Sequence, residues 1–177
     1  LIDMLKDDGM ISQEIYAPDI SWMINDISSL LKSKNISKNY IVLIPGSSKK
    51  HPEKRWPFYG EIAKEFMSRG YDVINILGPD ELDLKESLLG HTLELLEWGD
   101  LAGVISKSSF VVGNDSGPSH IASCLKKPGI ALFGPTTSGP KSELARPPFT
   151  IIETEDLRSI SSIDLFKRIK ESYSFLR

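Results

Sequence analysis

Residues 110–126 read Phe110-Val111-Val112-Gly113-Asn114-Asp115-Ser116-Gly117-Pro118-Ser119-His120-Ile121-Ala122-Ser123-Cys124-Leu125-Lys126. They pass from a short apolar run, through a glycine-bearing polar turn, into an amphipathic segment. Pro118 suits the first turn of a helix that the pattern places over 116–126. The run Phe110–Val112 has strand length and no polar face, as expected of a strand buried on both sides. The same strand–glycine–helix grammar recurs on both sides of it. Tyr40–Ile44 ends at Pro45-Gly46, and Tyr71–Leu77 ends at Gly78-Pro79. Pro128–Phe133 ends at Gly134-Pro135, and Phe149–Ile152 is a fifth candidate strand. Between these, helices are expected over 21–33, 56–69, 80–89 and 97–106, with a last one over 163–176. In the first of them Ser21 would be the cap, and Trp22, Ile24, Ile27, Leu30 and Leu31 the apolar stripe.

Alternating strands and helices predict an α/β fold: a parallel sheet with helices on both faces. Right-handed crossovers place every strand-to-helix loop at one sheet edge, where such folds bind ligands. Four loops should therefore converge: Pro45-Gly46-Ser47-Ser48, Gly78-Pro79-Asp80-Glu81, Gly113-Asn114-Asp115-Ser116-Gly117, and Gly134-Pro135-Thr136-Thr137.

Composition narrows the functions. The chain has 177 residues, 40% hydrophobic and 25% charged, which suits one globular domain and excludes a disordered tail. Its 21 Lys and Arg against 24 Asp and Glu leave a charge of -3, so no global basic field attracts nucleic acid and any anion site must be local. The single cysteine, Cys124, excludes an internal disulfide framework and a cysteine-based zinc site. With no signal segment, it fits a reducing, cytoplasmic setting. Cys124 is expected to be a small buried hydrophobe, and Trp22, Trp56 and Trp98 packing residues. No apolar run approaches the ~18 residues of a membrane-spanning helix. Leu1, Ile2, Met4 and Leu5 have helical spacing up to Gly9, and residues 10–19 read as a linker. The chain is thus expected to open inside an element of a longer protein, with residues 1–19 a remnant and 20–177 the domain proper.

Three loops carry chemistry. After Gly46, which lets a ligand approach the backbone, Ser47 and Ser48 offer donors, and residues 49–55 hold four basic side chains and one acid. That pattern suits a phosphate or diphosphate; a solvated basic turn is the alternative. Glu81 is placed to accept ribose hydroxyls, or else is a first-turn acid favoured by the helix dipole. In the third loop, free amides near Ser116 and Gly117 would point at an anion, with His120 one turn further on. The plainer alternative makes Asp115 a helix cap and His120 a satisfied core histidine. Asp115-Ser116-Gly117-Pro118 also echoes the nucleophile loop of trypsin-like proteases. The second glycine is missing, the chain alternates α and β, and only three histidines exist (His51, His91, His120). A hydrolase would label at Ser116 with a fluorophosphonate.

Together these segments resemble glycosyltransferase family 9, the ADP-heptose:lipopolysaccharide heptosyltransferases. The resemblance rests on Pro45-Gly46-Ser47-Ser48 with Lys54-Arg55-Trp56-Pro57, Gly78-Pro79-Asp80-Glu81, Gly113 to Ala122, and Ala131 to Thr136, across residues 20–170. The loop between Ser48 and Lys54 is longer than the family's, and Ser116 stands where the family has Thr. The resemblance implies a Rossmann-like domain equivalent to the C-terminal, donor-binding half of a two-domain GT-B enzyme. Ser47, Ser48 and Lys54 would hold the diphosphate of ADP-heptose, and Glu81 its adenosine portion. Asp115, Ser116, Gly117 and His120 would lie at the phosphate and sugar end. The catalytic base and a lipid-linked saccharide acceptor would belong to the N-terminal half, leaving this half inactive alone, and the parent enzyme would sit peripherally at the inner membrane. An acceptor hydroxyl would attack and invert the anomeric carbon while ADP leaves, its charge met by a helix N-terminus and Lys54, with neither metal nor cofactor. The other reading is a stand-alone nucleotide-binding module with a regulatory or assembly role, which the length of the parent reading frame would distinguish.

Overall fold

The computed structural model describes residues 18–136 and 142–173. Six parallel strands form one sheet in the order β3-β2-β1-β4-β5-β6. They are β1 Tyr40–Ile44, β2 Asp72–Leu77, β3 His91–Glu94, β4 Phe110–Asn114, β5 Gly129–Phe133 and β6 Phe149–Glu153. The helices are α1 Ser28–Ser33, α2 Tyr59–Met67, α3 Trp98–Lys107, α4 Gly117–Cys124 and α5 Ser162–Ser172. This is the doubly wound order in which the strand sequence reverses direction between β1 and β4. Register there is fixed by Ile41 opposite Phe110 and Leu43 opposite Val112.

The central strands are apolar at nearly every position because side chains of both parities are buried, with Asn75 in β2 and Asn114 in β4 as buried polar exceptions. Tyr40, Val42, Ile44, Ile74 and Val111 pack with Leu101, Val104 and Ile105 of α3 on one face. Ile41, Leu43, Val73, Phe110 and Val112 pack with Ile62 and Phe66 of α2 and Leu165 and Ile169 of α5 on the other. The one polar atom of Tyr40 is satisfied inside its layer, donating to the Val104 carbonyl at 2.7 Å.

β5 and β6 meet with no spare room. A Cβ on Gly129 would lie 2.5 Å from the Phe149 ring and 2.9 Å from the Val111 carbonyl oxygen. Gly129→Ala is therefore expected to cost about 2 kcal/mol through overpacking, read as a lower midpoint in thermal or urea denaturation. An unchanged midpoint would contradict this close packing.

Several expectations need correction. The helix expected over 21–33 is broken: a 3-10 turn, Ser21–Met23, is followed by extended chain and only then by α1. The Asn25 amide donates to the Gly99 carbonyl at 3.1 Å, and a Cβ on Gly103 would lie 2.5 Å from the Asn25 carbonyl oxygen. The segment thus lies on a bare glycine face of α3, closer than a helix could come. Ser21 makes no side-chain cap. Trp22 (82% exposed) and Ile24 point outward, while Ile27 and Leu31 are buried as expected.

Residues 80–89 hold a 3-10 helix, Leu82–Ser87, and the unforeseen strand β3 follows. That strand has four residues and buries only Leu93, so it shows neither length nor alternation. Trp56 precedes α2 rather than lying within it, but is buried as expected. Trp98, by contrast, is 62% exposed. Cys124 is only partly buried, because α4 turns Ser119, Ala122 and Ser123 inward; its sulfur lies 3.8 Å from the Arg146 guanidinium. The proposed remnant helix at 1–5, linker residues 10–17, Thr137, and the end of the last helix lie outside the described residues.

Candidate functional site

Loops after β1, β2, β4 and β5 meet at the carboxyl edge, as the alternation predicts. Asn114, the last residue of β4, joins the first and third. It is fully buried, and its amide nitrogen donates to the carbonyls of Pro45 (2.8 Å) and Gly46 (3.2 Å). Its amide oxygen accepts from the Trp56 amide at 3.2 Å and the Tyr59 hydroxyl at 3.0 Å. The sequence reading passed over Asn114; its signal was a polar residue closing an otherwise apolar strand.

The basic run is anchored, which disfavours a merely solvated turn. Lys54 Nζ lies 2.8 Å from Asp115 Oδ2, with the two side chains only 17% and 14% exposed. Arg55, also passed over, donates to the Ser47 carbonyl (3.0 Å), the Ser47 hydroxyl (3.2 Å) and the Asp80 carbonyl (3.1 Å), and pairs with Asp83 at 3.3 Å. It ties the first loop to the second. Ser47 is buried, and its hydroxyl donates to the His51 carbonyl at 2.7 Å. Its side chain therefore shapes the loop rather than facing the crevice. Ser48 is exposed, its hydroxyl accepting from the Lys50 amide at 3.3 Å.

Glu81 folds back over the first loop. Its Oε2 accepts from the Gly78 amide at 2.6 Å, and a Cβ on Gly46 would fall 1.9 Å from its carboxyl carbon. The absence of a side chain at Gly46 makes room for this carboxylate. Burial pushes the Glu81 carboxyl above the usual range, and the Gly78 amide partly opposes that rise. Beside it lies a mainly apolar cavity of about 200 Å³, whose walls include Ile76, Leu77, Leu96, Trp98 and Pro118. A larger one, about 490 Å³, lies between α2 and the 82–87 turn; it touches Arg55 but not Lys54, Glu81 or Asp115.

At the third loop Ser116 is the N-cap residue of α4. The Ser119 amide reaches the Ser116 carbonyl at 3.1 Å, whereas the amides of Ser116 and Gly117 meet no acceptor among the described residues. The Ser116 hydroxyl oxygen is buried and also has no partner. A buried polar atom is rarely left so, and this one sits at the positive end of a helix beside the free first-turn amides. His120 is partly buried; burial lowers its pKa, the Asp115 charge raises it, and Arg146 adds to the lowering. No group of three or more potential metal ligands occurs among the described residues, and no helix among them is long and apolar enough to cross a membrane.

A family model described as glycosyltransferase family 9 (heptosyltransferase) matches residues 12–147. The chain is 33% identical over 99 residues to lipopolysaccharide heptosyltransferase 2 of Escherichia coli K12, a match covering 49% of this chain and 28% of that protein. Among solved structures, a family 9 glycosyl transferase from Veillonella parvula superposes with a TM-score of 0.80 at 20% identity, covering 97% of this chain and 58% of that one. An E. coli heptosyltransferase, WaaC, with ADP-2-deoxy-2-fluoro heptose superposes with a TM-score of 0.69 at 20% identity, covering 96% and 53%. The chain thus spans little more than half of these structural relatives and less of the curated one.

Proposed function

Since the chain belongs to glycosyltransferase family 9, we propose that its carboxyl edge is the donor site of a heptosyltransferase and binds ADP-heptose. The observation that carries this is the buried, unpartnered Ser116 hydroxyl at the start of α4, next to the free first-turn amides of Ser116 and Gly117, with Lys54 alongside on Asp115. Such a cluster is a ready seat for a diphosphate. Residues 20–177 act as the donor-binding domain. The E. coli relative that superposes here carries an ADP-heptose analogue, which supports the same ligand class.

In this reading, the amides of Ser116 and Gly117, the Ser116 hydroxyl and Lys54 hold the diphosphate, with the exposed Ser48 at its edge. The free oxygen of Glu81 accepts a ribose hydroxyl, and the adenine enters the cavity walled by Trp98 and Pro118. Asp115 and His120 border the sugar. Preorganised donors act most where charge develops, so the same groups stabilise ADP as it leaves during attack of an acceptor hydroxyl on the anomeric carbon. The acceptor and the catalytic base come from a second domain, and this half alone transfers no heptose. A lipid-linked acceptor would bring the whole enzyme to the inner face of a membrane.

Calorimetric titration of the chain with ADP, UDP and GDP is the test. Saturable binding that favours ADP supports the reading; no heat with any of the three sinks it. A second prediction isolates the nucleoside end. Gly46→Ala is expected to drive the Glu81 carboxylate out of its place and to lower the thermal midpoint by only a few degrees, because the displaced group ends a flexible side chain and the main loss is its bond to the Gly78 amide. ADP affinity falls roughly tenfold, with that for inorganic pyrophosphate unchanged. Equal losses for both ligands would remove Glu81 from the adenosine end.

A further inference from the structure

The rim carries its own counter-charges. Of the four basic side chains at 49–55, three face carboxylates: Lys49 on Asp80 at 3.8 Å, Arg55 on Asp83 at 3.3 Å and Lys54 on Asp115 at 2.8 Å. The first two pairs include a well-exposed partner, and solvent screens them. The third is different. Both of its side chains are largely buried, and Asp115 directly precedes the N-cap of α4, where negative charge is favoured. An anion drawn to this place by the amides and the lysine therefore finds the lysine already holding an anion. Lys54 Nζ donates to the Asp115 carboxylate, and the buried Ser116 hydroxyl in the same loop has no partner among the described residues.

We propose that Asp115 is an internal competitor for the donor's diphosphate, holding Lys54 in the empty site and yielding it when a ligand enters. This rests on the reading of the rim as a nucleoside-diphosphate site. The binding energy of Lys54 is then a difference: a contact with phosphate gained, a contact with Asp115 lost. Once Lys54 has moved, the carboxylate remains close to the incoming charge and opposes it. A diphosphate can set one phosphoryl group on the α4 amides and the other on Lys54, so it can pull the ammonium away without giving up the amides. A monophosphate must choose between them. Asp115 thereby selects for diphosphates through a repulsive element as well as an attractive one. It also recaptures Lys54 as ADP departs, which speeds release.

The test is calorimetry on the intact chain with ADP, AMP and inorganic pyrophosphate. Asp115→Asn is expected to bind ADP and pyrophosphate about tenfold tighter than the wild type, with a larger gain for AMP, so that discrimination between ADP and AMP shrinks. Asp115→Ser, a second neutral replacement, should behave alike if the Asn variant folds poorly. Asp115→Glu, which can rebuild the ion pair, should keep the wild-type affinities. A residue that merely held the loop in shape would weaken every ligand on replacement. Unchanged or weaker pyrophosphate binding by the folded neutral variants overturns the competitor role, as does a Glu variant as tight as the Asn one. Those outcomes leave the site itself standing, provided Lys54→Met weakens pyrophosphate binding. If Lys54→Met has no effect, or if neither wild type nor neutral variants bind ADP or pyrophosphate, the site reading and the competitor fall together.

Discussion

Asn114→Ala is expected to lower stability by about 4 kcal/mol, and the thermal midpoint by roughly 12 °C for a chain of this size. Removing this amide strands four buried partners along the β1–α2 connection and at the start of α2: the Pro45 and Gly46 carbonyls lose a donor, and the Trp56 amide and Tyr59 hydroxyl lose an acceptor. Each buried group left unpaired costs on the order of 1–3 kcal/mol. The methyl group of alanine fills none of the vacated volume, and Asn114 is wholly enclosed, so water has no easy route to the orphans. The loss should extend beyond stability. Gly46 and Ser47 would no longer be fixed against β4, so any ADP binding should weaken even at temperatures where the variant is folded. Differential scanning calorimetry checks the first part and titration at low temperature the second. A midpoint within a few degrees of wild type would mean that these four bonds do not organise the rim.

Lys54→Ala is expected to cost about 100-fold in ADP affinity, or roughly 2.7 kcal/mol. Charge-assisted hydrogen bonds contribute about 1.5–3 kcal/mol each, and this side chain supplies such a bond to the diphosphate in the proposed complex. A second effect has the same sign. Without its partner, the largely buried Asp115 carboxylate stands uncompensated where the phosphates must come. The midpoint should fall less than for Asn114→Ala, because the α4 N-terminus still favours a carboxylate there. Unchanged affinity for ADP would contradict both the donor-site reading and the alignment of Lys54 through Arg55-Trp56-Pro57.

Most of the sheet was legible because a strand buried on both faces is apolar at nearly every position. Tyr40–Ile44 and Ile130–Phe133 show this plainly, and a glycine lies at or beside the ends of β1, β2, β4 and β5. β3 was illegible because an edge strand with one buried residue needs no such run. The broken helix at 21–33 was misread for a related reason. Its periodicity is real, but two glycines in α3 let an extended chain dock closer than a helix, and that competition is tertiary. At the site, Lys54, Glu81, Asp115 and Ser116 were found as chemically able residues in loops. Asn114 and Arg55 stand in the quoted loops without a role, since their work is to hold partners that only the folded chain brings near. Ser47 is expected at the diphosphate as a source of donors; its hydroxyl already donates to the His51 carbonyl, a bond between loop residues that no sequence pattern announces.

The outward-facing indole of Trp98 has a practical consequence. It is 62% exposed at the start of α3, and a Cβ on Gly117 would lie 3.9 Å from it. An aromatic ring so close to the mouth of α4 is a built-in optical reporter: adenine settling beside it should quench or shift its emission. The enclosed Trp56 and the solvated Trp22 add a background that a Trp98→Phe variant isolates, so occupancy of the crevice can be followed in dilute solution without attaching any dye.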